Sequence, residues 1–312
     1  MAEPIPVIVN ATAGNGSNPG WTDGLEQAFT AAGLQAKIHV MQQGSQIAPA
    51  VAAAVKRGAR IVVAGGGDGT VSAVAAGLLD TGVTLGVLPM GTLNHFAKDL
   101  GIPLEQEPAI AVIAGGRQVQ VDAGEVNGRI FINNSGLGLY PEIVRDREQR
   151  QRRLGHGKWR ALLAASIAAA RRYPVLSVQI EVDGQTLTRR TPFVFIGNNV
   201  YTMEGFEIGE RAALDRGELS LYLTQRMGRF GLLRLAVMAL LRRLEQARDF
   251  DMLTAREFVV NTRHRRLRVA TDGEVTTMEP PLRYRELAVA SIHHELARGQ
   301  HVEIAGLLQP PQ

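Results

Sequence analysis

Cysteine is absent from this 312-residue chain. That excludes disulfides, thiolate metal sites and a cysteine nucleophile, and it permits a reducing compartment. Long apolar runs are also missing. The longest candidate, residues 162–170, is short and alanine-rich, well under the roughly 20 residues that a membrane-spanning helix needs. There is no internal repeat, and low complexity is confined to Gln309-Pro310-Pro311-Gln312. A strand-like run starts at Ile5 with no basic region before it, so no signal peptide is expected. Lysine is scarce: Lys37, Lys56, Lys98 and Lys158 are the four, and arginine supplies the other basic charge.

What is present is unevenly placed. Residues 1–128 hold 6 Lys and Arg against 10 Asp and Glu, a net of −4, while residues 129–312 hold 28 against 20, a net of +8. Halves of opposite sign imply different partners, and a basic half suits either nucleic acid or an anionic membrane surface. Hydrophobic content of 45% and charged content of 21% suit a soluble globular protein, and this length suits two domains.

The first half alternates strand and helix signals. Strands are expected at 6–10, 35–41, 60–64 and 84–88, and helices at 21–32, 45–57, 70–79 and 93–99. Such alternation predicts a doubly wound parallel sheet, whose ligands sit beyond the carboxyl ends of the strands. After residue 120 the texture turns to strands, at 119–126, 129–134, 177–182, 186–188, 192–196, 219–224, 257–261 and 267–270. Asp183-Gly184 is a strong hairpin signal within it. Two helices are expected there, at 157–172 and 229–248.

Three segments carry chemistry. Ile61-Val62-Val63-Ala64 runs into Gly65-Gly66-Gly67-Asp68-Gly69-Thr70, a strand opening into a tight turn. Glycines let backbone N–H groups approach phosphate oxygens closely. An acid beside phosphate requires a mediating Mg²⁺ or donor, so the turn points to a nucleotide triphosphate site. It is not a Walker A loop, having no Gly-Lys-Ser/Thr, and it lacks the third glycine of a dinucleotide fingerprint. A purely structural turn would not need Asp68 and Thr70. The second segment, Pro89-Met90-Gly91-Thr92-Leu93-Asn94-His95-Phe96-Ala97, follows another strand. It reads either as a second anion-binding loop at a helix start or as an ordinary capped helix. The third, Thr271-Asp272-Gly273-Glu274, taken by itself reads as a hairpin turn.

Together these segments resemble the diacylglycerol kinase catalytic family, the bacterial lipid kinases related to sphingosine and ceramide kinases. The resemblance covers almost the whole chain. Asn10-Ala11-Thr12-Ala13-Gly14 is similar to the family's first nucleotide loop, and Gly66 to Thr70 matches its Gly-Gly-Asp-Gly-Thr signature. The Pro89 to Ala97 segment resembles Pro-x-Gly-Thr-x-Asn-Asp-Phe-Ala. Phe131-Ile132-Asn133-Asn134-Ser135-Gly136-Leu137-Gly138 is similar to the strand and loop that open the second domain. Asn198 and Leu214-Asp215-Arg216-Gly217-Glu218-Leu219 resemble later loops, and Asp272-Gly273-Glu274 falls where the family has a catalytic Asp-Gly-Glu. Gly-Gly-Asp-Gly-Thr also occurs in NAD kinases, so order and spacing carry the specificity.

The resemblance implies an N-terminal doubly wound α/β domain over residues 1–128, joined by part of 281–312, and a C-terminal β-sandwich domain over 129–280. It implies ATP and Mg²⁺. Asn10, Gly66, Gly67, Asp68, Gly69, Thr70, Thr92 and Asn94 would line the nucleotide site. Asp68 would act on Mg²⁺ or its waters, and Asp122 matches another acid at the cleft. Asp272 would be the general base toward a lipid hydroxyl, with Glu274 orienting it or helping Mg²⁺. A carboxylate base suffices for such phosphoryl transfer.

The chain departs from the family pattern at four places. Ala11 replaces a proline, His95 replaces an aspartate, and Met41 or Gln42 stands where relatives often have threonine. Arg216 replaces the aspartate that ligates a structural metal, and a guanidinium cannot ligate Mg²⁺. The metal site near Asp215 is therefore expected to be lost.

Residues 157–172 place Trp159, Leu162, Leu163, Ser166, Ile167 and Ala170 on one helical face, with Lys158, Arg160, Arg171 and Arg172 flanking it. This stripe reads as a helix packed on its own core, whose basic rim is free to face lipid. The expectation is thus a cytoplasmic lipid kinase, peripheral to the membrane. It would phosphorylate diacylglycerol, ceramide or a sphingoid base, with no nucleic-acid partner and a homodimer left open. The alternatives are an NAD kinase-like transferase and a lipid-binding protein whose catalysis has decayed.

Overall fold

The computed structural model describes residues 3–11, 20–138, 176–204, 207–211, 213–224 and 250–293. The helices expected over 157–172 and 229–248 lie outside these residues, as does most of the first glycine-containing loop.

The N-terminal half begins with β1 (Ile5–Asn10), α1 (Trp21–Ala31), β2 (Ala36–Met41), α2 (Ile47–Lys56), β3 (Ile61–Gly66), α3 (Asp68–Leu78) and β4 (Thr84–Pro89). Strands β1, β3 and β4 are short, apolar and buried on both faces, as parallel strands covered by helices must be, while the edge strand β2 is partly exposed. Their order is β2-β1-β3-β4, all parallel. The chain leaves β1 toward one edge and β3 toward the other, so a crevice opens between their carboxyl ends. Register puts those ends level: Val9 pairs with Gly65, and Gly65 with Leu88. Helices α4 (His95–Asp99) and α5 (Gln106–Gly115) follow. The sequence reading passed over α5, whose apolar residues Ala109, Ile110, Val112 and Ile113 are buried in the core beneath the sheet.

The rest is built from antiparallel strands: β5 (Gln118–Val126), β6 (Arg129–Phe131), β7 (Asn134–Gly138), β8 (Leu176–Val182), β9 (Gln185–Thr191), β10 (Phe193–Asn198), β11 (Tyr201–Glu204), β12 (Glu207–Arg211), β13 (Leu219–Thr224), β14 (Phe250–Ala255), β15 (Glu257–Thr262), β16 (Leu267–Thr271), β17 (Glu274–Met278) and β18 (Leu282–His293). Asp183 and Gly184 both have positive φ, 47° and 74°, and close the β8–β9 hairpin. That conformation suits the right-handed twist of two-residue hairpins.

Strands β14-β13-β10-β7-β16-β17 form a six-stranded sheet. The opposing layer is no separate sheet. Strands β18, β15, β8 and β9 continue the parallel sheet beyond β4, giving ten strands with β5 and β6. A second apolar core, including Phe131, Leu137, Ile180, Ile196, Leu221, Phe258 and Tyr284, fills the space between the two layers. Strand β18 spans both regions. Tyr284 sits in this sandwich core, whereas Ile292 pairs with Leu85 of β4 and belongs to the first core. The first half is therefore a parallel α/β unit and the second a β-sandwich, joined through a shared strand.

Candidate active site

The glycine turn lies at the carboxyl end of β3. Helix α3 starts two residues earlier than the sequence suggested, so Asp68 and Gly69 form its first turn. The leading N–H groups of a helix have no intrahelical acceptor and carry the positive end of its dipole. The loop after β4 packs directly on this turn. A Cβ on Gly91 would collide with the Gly67 backbone, and one on Gly66 would come 2.5 Å from Thr70 Oγ1. Only hydrogen fits at these positions, and the two loops make one backbone-lined wall.

Asn94 shapes that wall. It adopts a left-handed conformation with φ 49°, donates Nδ2 to the Gly91 carbonyl at 2.9 Å and accepts the Gly91 N–H at 2.9 Å. Its amide is thus committed to the loop. Thr92 stands exposed on the rim and Thr70 is buried under the turn. Asn10 ends β1 beside the glycine strand.

Asp68 reaches away from its own helix. Its carboxylate accepts the N–H groups of His95 (3.2 Å) and Phe96 (3.0 Å) and the Asn133 side-chain amide (3.3 Å). Position 95 therefore contributes its backbone to Asp68, whichever side chain it carries.

Asp272 and Gly273 form the two-residue turn between β16 and β17, with φ 47° and 85°. The hairpin reading holds, and the turn lies at the junction of the two halves. The Asp272 carboxylate accepts three backbone N–H groups, from Ile132 (2.8 Å), Asn133 (2.9 Å) and Asn134 (3.0 Å). Burial pushes the Asp272 carboxyl above its ordinary range, and these three backbone donors oppose that push.

Glu274 lies next to the glycine turn: a Cβ on Gly69 would sit 3.4 Å from its Oε1. Its side chain is 62% exposed and pairs with Arg129 at 2.5 Å, while Arg129 Nε donates to Thr271 Oγ1 at 2.7 Å. The hairpin and the glycine turn are thus in contact, across about 200 residues of sequence.

Asp122 is placed differently. It is buried in β5, accepts the Gly217 N–H at 2.6 Å, and its own N–H donates to the Leu214 carbonyl. It organises the 214–217 loop and makes no hydrogen bond to Asp68 or Asp272. In that loop Asp215 and Arg216 are exposed, and the Arg216 N–H donates to Asn199 Oδ1 at 3.1 Å.

Several residues that the sequence reading left without a role hold the centre. Asn133 links the two candidate acids, with its N–H on Asp272 and its side-chain amide on Asp68. Arg211 is buried against Asp99 at 2.7 Å, with ring contacts to Tyr201 and Phe96. In sequence, Glu210-Arg211 looks like an ordinary solvated pair, and nothing there signals burial.

Glycine at 66, 67 and 91 lets the two loops pack closely beside the start of α3, whose leading N–H groups fit a polyphosphate. Among the described residues no three His, Asp or Glu side chains form a metal cluster. Mg²⁺ held chiefly by nucleotide phosphates would need only one or two carboxylates, and Glu274 is an exposed carboxylate beside the glycine turn.

Comparison with known proteins agrees with this geometry. Residues 4–126 match the diacylglycerol kinase catalytic domain, and residues 143–292 match the YegS C-terminal NAD kinase beta sandwich-like domain. A diacylglycerol kinase of Bacillus subtilis (strain 168) is 31% identical over 284 residues, covering 88% of this chain and 90% of that protein. One from Staphylococcus carnosus (strain TM300) is 28% identical over 62% of this chain and 64% of its own length. A crystal structure of a diacylglycerol kinase from Bacillus anthracis str. Sterne superposes with a TM-score of 0.67 at 19% identity, covering 94% of this chain and 97% of that one, and so shares the fold. The Bacillus subtilis relative, 31% identical over 88% of this chain and 90% of its own length, places this chain in the diacylglycerol kinase family.

Proposed function

We propose that the chain transfers the γ-phosphoryl group of ATP to a hydroxyl of a membrane lipid of the diacylglycerol, ceramide or sphingoid-base type. The observation that carries this reading is the contact between Gly69 of the glycine turn and Glu274 of the hairpin. It sets a phosphate-binding wall against a buried carboxylate, the two parts that phosphoryl transfer to an alcohol requires.

In this reading the α3 N-terminus and the backbone of Gly66 and Gly67 hold the phosphates, Gly91 lets the second loop pack against them, and Asn10 and Thr92 border the nucleotide. Asp68 fixes the second loop through the His95 and Phe96 N–H groups. Bound Mg²⁺, with Glu274 beside it, would neutralise phosphate charge. Asp272 accepts the proton of the lipid hydroxyl. Its three donors are rigid backbone groups, two on Oδ1 and one on Oδ2, so Oδ2 keeps a lone pair for that proton. A carboxyl raised by burial holds a proton better than an ordinary aspartate near neutral pH.

The net charge of +8 over residues 129–312 supports a cytoplasmic enzyme that meets an anionic membrane surface. No helix among the described residues is long and apolar enough to cross a membrane. Incubation with radiolabelled ATP, Mg²⁺ and vesicles of diacylglycerol, ceramide or sphingosine is expected to label one of the lipids, and Asp68→Ala to abolish the label. Label on NAD in place of lipid would move the chain to the second reading, an NAD kinase-like transferase, which the description of its C-terminal domain also brings to mind.

A further inference from the structure

The segment Ile132-Asn133-Asn134 has all its backbone polar groups engaged. Its three N–H groups grip Asp272. On the other side, the Ile132 carbonyl accepts from Arg211 Nη1 (2.7 Å) and Asn198 Nδ2 (3.0 Å), and the Asn133 carbonyl accepts from Asn198 N–H (2.8 Å) and Tyr201 Oη (3.0 Å). The Asn134 carbonyl takes the Asp272 N–H at 2.9 Å.

The Arg211 guanidinium is buried and spans three elements. Its Nε donates to Asp99 Oδ2 at 2.8 Å, Nη1 also reaches the Asn198 carbonyl at 3.2 Å, and Nη2 donates to Asn133 Oδ1 at 2.9 Å. Its side chain is fully buried and that of Asp99 is 6% exposed. A buried guanidinium costs desolvation, and replacing such an ion pair by apolar groups often leaves stability unharmed. What distinguishes this pair is its connectivity. The Ile132 carbonyl and the Asn133 N–H belong to one peptide group. Arg211 therefore pulls on the oxygen of the peptide whose N–H holds Asp272 Oδ1. The Asn133 side-chain amide repeats the pattern: Arg211 holds its oxygen and its nitrogen donates to Asp68 Oδ1. A cation on the oxygen of an amide polarises its N–H and fixes its direction, so each chain of bonds is strengthened.

We propose that Arg211, anchored by Asp99, is a positioning residue that sets both Asp272 and Asp68 through two amide groups, the Ile132–Asn133 peptide and the Asn133 side chain. It touches neither carboxylate itself. The planar fork is essential, because the two amide oxygens and Asp99 lie in different directions, and a lysine ammonium cannot reach all three in fixed geometry. This role rests on the lipid kinase reading for its catalytic consequence, but the grip on residues 132–134 is independent of it.

Removing Arg211 alone would leave Asp99 buried without its partner, which is strongly destabilising. The test therefore uses the paired variant Arg211→Gln/Asp99→Asn, which leaves no lone buried charge, beside Arg211→Lys. Two readouts are taken on the full chain: steady-state phosphorylation of whichever lipid the wild type labels, and hydrogen exchange of the backbone amides of residues 132–134. Misplaced catalytic groups lose up to about 100-fold in rate. Both variants are accordingly expected to lose at least about tenfold in kcat with KM for lipid unchanged. Exchange of residues 132–134 is expected to quicken at least tenfold while that of β13 stays as in the wild type. A folded paired variant with wild-type kcat overturns the proposal, as does one whose 132–134 amides remain as protected as before. A loss that appears in KM alone also overturns it. If the wild type labels no lipid, the kinase reading falls, and the exchange result alone upholds or overturns the Arg211 role.

Discussion

Asp68-Gly69 and Asp272-Gly273 are the same dipeptide in two halves of the molecule, and their surroundings make opposite uses of it. In the first, Gly67 caps α3 and Asp68 enters the helix, leaving its carboxylate to hold a neighbouring loop at His95 and Phe96. In the second, both residues turn left-handed, closing a hairpin, and the carboxylate is drawn back under three backbone N–H groups. Asp68 belongs to a surface prepared for an anion, whereas Asp272 is an anion already enclosed by donors. The contrast shows that a carboxylate's role is set by which backbone groups reach it, and that Asn133 ties the two roles together.

The largest expected effect comes from emptying the enclosed site. Asp272→Ala leaves the Ile132, Asn133 and Asn134 N–H groups without their acceptor, at about 1–3 kcal/mol for each donor left unpaired. Thermal unfolding should show a drop of several degrees, together with loss of phosphotransfer. If the variant melted like the wild type, the three N–H groups would not be gripping Asp272.

Gly91→Ala strikes the prepared surface instead. The new methyl would meet the Gly67 backbone and approach Asn94 Oδ1 to 2.8 Å, forcing the two loops apart. Calorimetric titration with ATP should show at least about tenfold weaker binding, equivalent to about 1.4 kcal/mol. Unchanged affinity would remove Gly66, Gly67 and Gly91 from the phosphate site.

The pH dependence separates the two acids further. Asp272 works as a base only when ionised, and burial has raised its pKa above the ordinary 3.8. The acid limb of the kcat profile should therefore lie at higher pH than for an exposed aspartate, with activity falling as pH drops through it. Stability runs the other way. Between 3.8 and the raised value the folded chain binds more protons than the unfolded one, so this group's contribution to stability falls as pH rises across that window. The acid limb is read from the pH–rate profile of the wild type, and Asp272→Asn should remove the stability effect, as read from unfolding at several pH values.

The smallest effect concerns Arg216, which is exposed and contributes its backbone N–H to Asn199. Arg216→Asp should change stability by no more than about 0.5 kcal/mol in metal-free buffer. A larger loss on chemical denaturation would mean that the guanidinium holds the 214–217 loop.

Much of the first half was legible in the sequence because parallel strands and glycine turns advertise themselves locally. Val62, Val63 and Ala64 are apolar on both faces, and the glycine cluster marks the strand end. Asp183-Gly184 was readable for the same reason. Helix α5 was not, since its apolar residues show little of the one-sided periodicity that marks an amphipathic helix. The family resemblance alone pointed 281–312 back toward the first domain, and the continuation of the sheet beyond β18 into β15 and β8 was hidden, because long-range pairing leaves no local mark. In the site, Asp68 and Asp272 could be singled out, whereas Arg211 and Asn133 could not. An arginine beside a glutamate and one asparagine of a pair carry no sign of burial; only the fold brings Asp99, Tyr201 and Ile132 around them.

The most direct measurement is transfer from radiolabelled ATP to a lipid hydroxyl by the wild type and by Asp272→Asn, with ATP affinity recorded for both. One site built from two halves predicts that the wild type labels lipid and that Asp272→Asn binds ATP as tightly yet transfers no phosphate. Lipid labelling that persists undiminished in Asp272→Asn would contradict it.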